Sequence, residues 1–293
     1  MLKAICTIAW FLSKDDLETF VFPNTLFGLC TALVGSDLVS HSSSRHEIIR
    51  RIPHVILFNW TNVIIFELAN QRLPCSVKED SLNKPWRVIP SGRLAPHNLR
   101  QALLFLIPVV LAINHFYLGV GSECALLTII SWLYNDLEGG ETWATRDCLL
   151  AVVAGLCNIG STKVISYTTA STPVVSTLGW IWVAIISGIT WTTMTVQDLK
   201  DVVGDRARRN RRTAPLVFGT MEVRWYLAIM ITLWSYICSW FWQSKLAGLI
   251  VVAYGVYIAW RCIKCDGYGP DRRTYEHWAL WQVVLFTLPC LAL

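Results

Sequence analysis

The chain is a succession of apolar blocks of about 16 to 23 residues separated by short polar connections. About 20 apolar residues in a helix cross a hydrocarbon layer roughly 30 Å thick. The blocks therefore predict nine transmembrane helices, at residues 17–35, 48–70, 97–117, 122–137, 147–166, 174–196, 222–242, 246–262 and 277–292. The ten-residue segments of alternating polarity that are typical of a membrane β-barrel are not found. The predicted fold is all-α: a polytopic membrane protein of about nine helices, in one domain over residues 1–293.

Composition agrees with this prediction. The 293 residues are 54% hydrophobic and 15% charged, against roughly 25% charged residues in soluble domains. The 15 Trp, 9 Tyr and 11 Phe residues exclude a disordered chain. A net charge of +5 would suit a nucleic-acid partner, but in a membrane chain the location of the cations matters more than their sum. We therefore expect a lipid bilayer and no nucleic acid as the surroundings; no protein partner is indicated.

The Lys and Arg residues are distributed unequally between the two sides of the predicted bundle. Of the 25, 18 lie on the side that carries the N-terminus, 4 on the other side and 3 within spans. Those 18 lie in the N-terminal segment and in residues 71–96, 138–146, 197–221 and 261–276. Because Lys and Arg accumulate in cytoplasmic loops, this face and the N-terminus are predicted to be cytosolic.

Three carboxylates follow the sixth predicted span. Asp198, Asp201 and Asp205 are three and four residues apart, so they share one face of a helix that continues the span without a break. Like charges this close repel one another unless a cation is shared. Carboxylates suit Mg²⁺, which completes its coordination with water and substrate phosphate. The alternative is a solvated helix end neutralised by Lys200 and Arg206, but acids at the membrane edge of a helix are costly.

A second polar group ends the second predicted span. Glu67, Asn70 and Gln71 share one helical face, and Asn59 and Asn62 lie one to two turns earlier. Polar side chains inside an apolar helix are expected to face the bundle interior or a wet cavity. For Asn59, interhelical hydrogen bonding and a role in a functional site are equally good explanations. It accounts poorly for Glu67, which is the better candidate for a site.

Each acidic helix end is followed by a basic segment. Lys84, Arg87 and Arg93 follow the first, and an arginine-rich stretch that ends at Arg212 follows the second. Carboxylates with a metal, bracketed by Lys and Arg, are typical of a site for a multiply charged anion such as a diphosphate. Lys163 is the lone cation inside the fifth span, and the same anion is its expected partner. Orientation signals or anionic-lipid contacts remain the alternative, most of all for Arg208, Arg209 and Arg211.

Two stretches carry a family resemblance: Asn83-Lys84-Pro85-Trp86-Arg87-x-Ile89-Pro90-Ser91-Gly92-Arg93, and Asp198-x-x-Asp201-x-x-x-Asp205 with its continuation Thr213-Ala214-Pro215-Leu216. They resemble the two signature regions of the UbiA superfamily of membrane prenyltransferases, as do nine helices with both regions on the cytosolic side. The resemblance implies a central cavity in which two Asp-rich motifs hold Mg²⁺ on an isoprenyl diphosphate while the prenyl chain lies among the helices. It also implies the endoplasmic reticulum as the location.

The first motif departs from the usual family pattern Asn-x-x-x-Asp-x-x-x-Asp. Glu67 replaces the expected Asp, and the later acids are Glu79 and Asp80. Residues 66–74 followed by these two acids are similar to a fungal branch of UbiA-type terpene cyclases. Such a cyclase needs no second substrate, because ionised farnesyl diphosphate closes on itself.

A cyclase must stabilise an allyl cation in an apolar cavity, where aromatic faces contribute ~2 kcal/mol or more and water is excluded. The candidate tryptophans are those within spans: Trp60, Trp180, Trp182, Trp191, Trp234, Trp240, Trp242 and Trp281. A transferase needs a polar group that orients and deprotonates its acceptor, and no such residue can be named.

The leading hypothesis is therefore a Mg²⁺-dependent class I terpene cyclase acting on farnesyl diphosphate. The alternatives are a prenyltransferase with an aromatic or other acceptor, and a non-catalytic transporter or lipid-binding protein. In the leading hypothesis the metal ligands are Glu67, Asn70, Asp198, Asp201 and Asp205; the diphosphate ligands are Lys84, Arg87, Arg93 and Arg212; and the catalytic residues are Asp198, Asp201 and Lys163.

Overall fold

The computed structural model describes residues 2–40, 43–167 and 174–292. These residues form helices and two isolated β-bridges, without a β-sheet. The helices are α1 (Leu2–Asp16), α2 (Phe22–Val34), α3 (Arg45–Gln71), α4 (Pro74–Asn83), α5 (Pro96–Ala112), α6 (Gly121–Asn135), α7 (Trp143–Ile165), α8 (Thr177–Thr193), α9 (Val196–Ala207), α10 (Ala214–Phe218), α11 (Thr220–Trp242), α12 (Lys245–Lys264) and α13 (Tyr268–Ala292). The all-α prediction is confirmed.

Each of the nine predicted spans falls on a helix. Within the described residues, six helical segments are long and apolar enough to cross a membrane, and a seventh results if α8 and α9 count as one broken span. The helix α6 has only 15 residues, which is short for a full crossing. Nine crossings therefore stay a prediction, although the chain has the apolar helices of an integral membrane protein.

The first span was predicted to begin at residue 17, and this start is wrong. The helix α1 begins at Leu2, and a π-helical turn at Leu17–Val21 joins it to α2, so that the candidate crossing covers Cys6–Asp37. Polar residues at the end of α1 resemble a loop in the sequence. In the fold they are part of the helix, and the last of them, Asp16, lines an internal polar pocket.

Two further features differ from the sequence prediction. The acid-bearing helix α9 does not continue α8 without a break, because the two helices meet at 42° across Met194–Thr195. The segment after the second span, predicted as a loop, contains the short helix α4. Pro74 stands in its first turn, a position that suits proline because the amide has no partner there.

Close packing between α2, α3 and α7 forms the centre of the bundle. Gly28 of α2 lies against Ser161 of α7 so closely that a Cβ atom at residue 28 would come within 2.9 Å of it. Small residues at such contacts allow helix backbones to approach in a membrane. Asn59 Nδ2 of α3 donates to Ser161 Oγ at 2.8 Å, so Asn59 has the interhelical role considered for it.

Candidate active site

The polar ends of α1, α3, α4, α7 and α9 surround a pocket of about 80 Å³. Its walls include seven carboxylates, which are Asp16, Glu67, Glu79, Asp80, Asp198, Asp201 and Asp205. They also include five basic side chains, which are Lys84, Arg87, Arg146, Arg208 and Arg211. The two acidic regions predicted from the sequence therefore face one another across a single cavity.

The three aspartates of α9 are all buried on one face of the helix, as their spacing predicts. Each contacts a different cation. Asp198 Oδ1 lies 2.8 Å from Arg146 Nη2, and Asp205 Oδ1 accepts from Arg211 Nε at 3.2 Å. Asp201 Oδ2 accepts from Lys200 Nζ at 2.6 Å. The mutual repulsion of the three carboxylates is thus relieved by ion pairs within the protein.

Arg146 is the most enclosed of these cations. It lies in the first turn of α7 and is 2% exposed. Its Nη1 atom donates to Asp147 Oδ1 at 2.8 Å, and Asp147 Oδ2 accepts in turn from Thr195 Oγ1 at 2.6 Å. Because Thr195 lies at the bend between α8 and α9, this network ties the start of α9 to α7.

The opposite wall is organised around Arg87, which follows α4. Its Nη2 atom lies 3.0 Å from Glu67 Oε2, and its Nη1 atom lies 3.1 Å from Asp80 Oδ2. Asn70 accepts from Arg87 Nη1 at 3.4 Å and donates to Asn135 Oδ1 at 2.9 Å. Burial, partly opposed by Arg87, raises the pKa of the Asp80 carboxyl.

Glu79 meets the arginines that follow α9. Its Oε2 atom lies 2.9 Å from Arg208 Nη1, while Arg208 also pairs with Glu141. Burial works to raise the pKa of Glu79, but Arg211 and Arg208 outweigh it and hold that pKa below its usual range. Glu79 is therefore ionised at neutral pH and joins α4 to the segment after α9.

Lys84 differs from the other four cations of the pocket. All four arginines form ion pairs, whereas Lys84 has none among the described residues. Burial and Arg87 push the pKa of Lys84 down, but Asp201, Asp16 and Asp80 outweigh them and raise it. A charged ammonium group without a close carboxylate is therefore present at the pocket wall.

Three of the predicted site residues lie elsewhere. Lys163 Nζ donates to Glu123 Oε1 of α6 at 2.6 Å, so its partner is this carboxylate and not an anion in the pocket. Arg93 is exposed and stacks on the Phe11 ring at 3.9 Å. Arg212 is exposed, and its backbone pairs with residues 141–143. None of the three side chains lines the pocket.

Sequence reasoning missed several residues of the pocket and left others undecided. Asp16 and Arg146 each stand just outside a predicted span, where the sequence pattern does not distinguish a pocket residue from a loop residue. Arg208 and Arg211, for which orientation signals or lipid contacts were the alternative, line the pocket. Glu79 and Asp80 lie on α4, and Pro74 is the sequence signal for that helix, since proline is common in the first turn of a helix.

The donor set of the pocket suits a hard cation. Its acidic side chains provide carboxylate oxygens, which Mg²⁺ prefers. Among the described residues no three Asp, Glu, His or Cys side chains converge as one metal cluster. Mg²⁺ usually takes only one or two protein carboxylates and completes its octahedron with water and phosphate oxygens, so this arrangement fits it.

Apolar space adjoins the polar pocket. A cavity of about 60 Å³, here called chamber A, lies between α3, α6 and α7. It shares Asp16, Phe20, Phe66 and Leu150 with the polar pocket. A smaller cavity of about 20 Å³, here called chamber B, includes Trp278 in its wall. None of the eight tryptophans proposed from the sequence lines either chamber. The arrangement suits a molecule with a charged head and an apolar tail.

Comparison with known proteins identifies the family and supports the fold. Over 287 residues the chain is 26% identical to the somaliensene A/B synthase of Streptomyces somaliensis, covering 94% of this chain and 90% of that protein. It is 29% identical over 261 residues to the fumagillin beta-trans-bergamotene synthase of Aspergillus fumigatus, covering 88% of this chain and 81% of that protein.

The solved structure of a UbiA homolog from Archaeoglobus fulgidus bound to DMAPP and Mg²⁺ shares the fold. Its TM-score is 0.61 at 10% identity, over 97% of this chain and 99% of that chain. The model of the UbiA prenyltransferase family matches residues 60–283. The chain belongs to the UbiA prenyltransferase family.

Proposed function

We propose that the protein is a membrane-embedded class I terpene cyclase that converts farnesyl diphosphate into a cyclic sesquiterpene. One observation carries the proposal: a pocket of opposed carboxylates and cations opens onto apolar space lined by aromatic rings. Two relatives that match most of the chain are named as synthases, one of them a bergamotene synthase. The related archaeal homolog binds a prenyl diphosphate with Mg²⁺.

In this proposal the pocket binds the diphosphate and the apolar chambers bind the prenyl chain. Lys84 contacts the diphosphate directly, since its ammonium group has no competing ion pair. Asp198, Asp201 and Asp205 from α9, with Glu67 and Asn70 from α3, are the proposed Mg²⁺ ligands. When bound, Mg²⁺ supplies positive charge that stabilises the departing diphosphate.

Ionisation breaks the bond between C1 and oxygen, and the electron pair leaves with the diphosphate. A distal double bond of the same chain then attacks the allyl cation, and transfer of a proton from the cyclised cation to the released diphosphate gives a neutral hydrocarbon. Phe20 and Phe66 line both the polar pocket and chamber A, so their rings can face the cation. The apolar wall excludes water that would otherwise capture it.

The proposed location is the endoplasmic reticulum membrane, with the N-terminus and the mouth of the pocket in the cytosol. The excess of Lys and Arg on this side supports the orientation. Protease protection of tags placed at the N-terminus and in the loop between α11 and α12 would test it.

A prenyltransferase is the second candidate function, and a specific observation favours it. A cavity of about 410 Å³ adjoins the polar pocket and shares Lys84, Gln197 and Asp201 with it. Its wall also includes Trp86 and Tyr275, which suit an aromatic acceptor. An acceptor bound there would be adjacent to the diphosphate.

Purified protein incubated with farnesyl diphosphate and Mg²⁺ alone tests the proposal. We expect release of diphosphate and a cyclic hydrocarbon detectable by gas chromatography. Asp198→Ala should abolish turnover, whereas Asp136→Ala, at an exposed carboxylate outside the pocket, should leave it within about threefold. Product that forms only with an added acceptor would establish the transferase, and binding without diphosphate release would indicate a transporter or lipid-binding protein.

A further inference from the structure

Two small apolar chambers lie beside the polar pocket, and one side chain lines both of them and the pocket. Chamber A shares several residues with the polar pocket, and chamber B shares Phe20 and Met194 with it. Phe20 alone lines chamber A, chamber B and the polar pocket together. Its half-buried ring therefore lies where the three cavities meet.

The backbone at Phe20 is fixed in an uncommon conformation. Residues Leu17–Val21 form the π-helical turn between α1 and α2, a feature that often occurs at functional sites. Polar side chains from the next turn hold its carbonyl groups: Asn24 Nδ2 donates to the Phe20 oxygen at 2.8 Å, and Thr25 Oγ1 donates to the Val21 oxygen at 2.6 Å. These bonds hold the backbone that carries the ring at the junction.

The two chambers differ in size and shape. Chamber A has about 60 Å³ and lies beside Phe66, whose ring packs edge-on against Tyr134 with the centroids 5.2 Å apart. Chamber B has about 20 Å³ and is closed by the larger side chains of Trp278 and Phe286. A prenyl chain that extends from the polar pocket past Phe20 therefore meets a larger and a smaller chamber, with the ring at their junction.

We infer that Phe20 is a specificity-determining residue that confines the prenyl chain to chamber A and so selects both chain length and folded conformation. The inference rests on the proposed cyclase function. Cyclisation requires that a distal double bond return to C1 of the allyl cation. A chain confined to one chamber bends back on itself, whereas a chain that can enter a second chamber extends and loses its proton before ring closure.

The consequences for Phe20→Ala follow from geometry. Removal of the ring joins the two chambers and gives a longer chain a place for its additional isoprene unit. We expect the ratio of kcat/KM for geranylgeranyl diphosphate to kcat/KM for farnesyl diphosphate to rise at least about tenfold. That factor equals about 1.4 kcal/mol of differential transition-state binding, within what one or two buried methylene groups contribute. Acyclic hydrocarbons should also increase as a fraction of the products.

Two control variants distinguish the loss of the Phe20 ring from a general enlargement of the cavities. Phe20→Tyr keeps a ring at the junction, and Thr190→Ala adds room to chamber B alone, since Thr190 lines that chamber and its hydroxyl bonds only to its own helix. Both should keep the wild-type substrate ratio within about threefold. A wild-type ratio and product profile in Phe20→Ala, or the same shift in Thr190→Ala, would overturn the inference.

Two measurements keep the test decisive. If Phe20→Ala does not fold, Phe20→Val, which also removes the ring, is assayed for the same ratio. Failure of the proposed function has a different signature, because wild-type protein would then release no diphosphate without an acceptor. If the wild-type protein cyclises farnesyl diphosphate and the Phe20 variants keep its ratio of kcat/KM values, the proposed role of Phe20 is refuted and the cyclase function stands.

Discussion

Replacement of Lys84 with Met should lower kcat/KM for the proposed prenyl diphosphate substrate. The four arginines of the pocket already form ion pairs with carboxylates, so part of each positive charge is already balanced within the protein. Lys84 has no such pair to lose. Its raised pKa keeps the ammonium group charged at neutral pH. The substitution thus removes a charge that is available to the substrate at no cost in protein contacts.

The magnitude follows from hydrogen bonds to charged groups, which contribute about 1.5–3 kcal/mol. At about 1.4 kcal/mol for each factor of ten, kcat/KM should fall by roughly 10- to 150-fold. Competitive inhibition by inorganic diphosphate should weaken in parallel, because the lost contact is made to the anion itself. Loss of an aspartate that binds only the metal would not necessarily weaken diphosphate in the absence of Mg²⁺.

The assay is diphosphate release from farnesyl diphosphate by purified protein, with inorganic diphosphate as the inhibitor. Lys78→Met is the matched control, since Lys78 is exposed on α4, the helix that ends one residue before Lys84, and does not line the pocket. It should leave both constants within about threefold of wild type. Equal constants for Lys84→Met and Lys78→Met would refute the assignment of Lys84 as the available cation.

Three further predictions concern the ion pairs. Arg146→Ala leaves two buried carboxylates without their cation and should cost about 3–5 kcal/mol, a fall in Tm of at least about 6 °C. Arg272→Ala removes the exposed ion pair with Glu276 and should cost under about 1 kcal/mol. Thermal unfolding followed with a thiol-reactive dye compares the two variants. Lys163→Met should keep turnover but lower Tm, because it leaves the buried Glu123 carboxylate without its cation. Adding Glu123→Gln removes that charge and should restore Tm. Loss of turnover in the double variant would show that Lys163 acts in the active site. Because the folded-state pKa of Glu79 is lowered, its stabilisation is present above its usual pKa of 4.5 and lost as the pH falls through the folded-state pKa. Glu79→Gln should therefore reduce the fall in Tm between neutral pH and about pH 4, and an unchanged fall would contradict this sign.

Local periodicity accounts for the part of the molecule that the sequence predicts well. The helices and the shared face of Asp198, Asp201 and Asp205 depend on spacing within one segment, which the chain displays directly. The start of the first helix was wrong for a physical reason. Asp16 lies in a helix and faces an internal pocket. No local sequence pattern distinguishes such a polar residue from one in a solvated loop.

Pairing between segments is the part that spacing does not determine. Glu123 and Lys163 are 40 residues apart, and only the packing of α6 against α7 makes them partners. Arg212 and Arg211 are neighbours in sequence, yet Arg211 faces Asp205 while Arg212 faces outward. In an irregular segment the direction of each side chain depends on backbone contacts, such as the bond from the Arg212 amide to the Glu141 oxygen.

The balance of charge in the pocket indicates how substrate and metal must arrive. Seven carboxylates and five basic side chains line it, so the pocket has no excess of positive charge that would attract a free diphosphate. A multiply negative anion placed beside these carboxylates is repelled unless cations accompany it. Mg²⁺ that arrived with the diphosphate would supply those cations, and the carboxylates of α9 and Glu67 would hold it. Arginines such as Arg146, which pairs with Asp198, would then be available to contact the anion. We therefore expect prenyl diphosphate to bind as its magnesium complex, with the ion pairs of the substrate-free pocket exchanged for contacts to it.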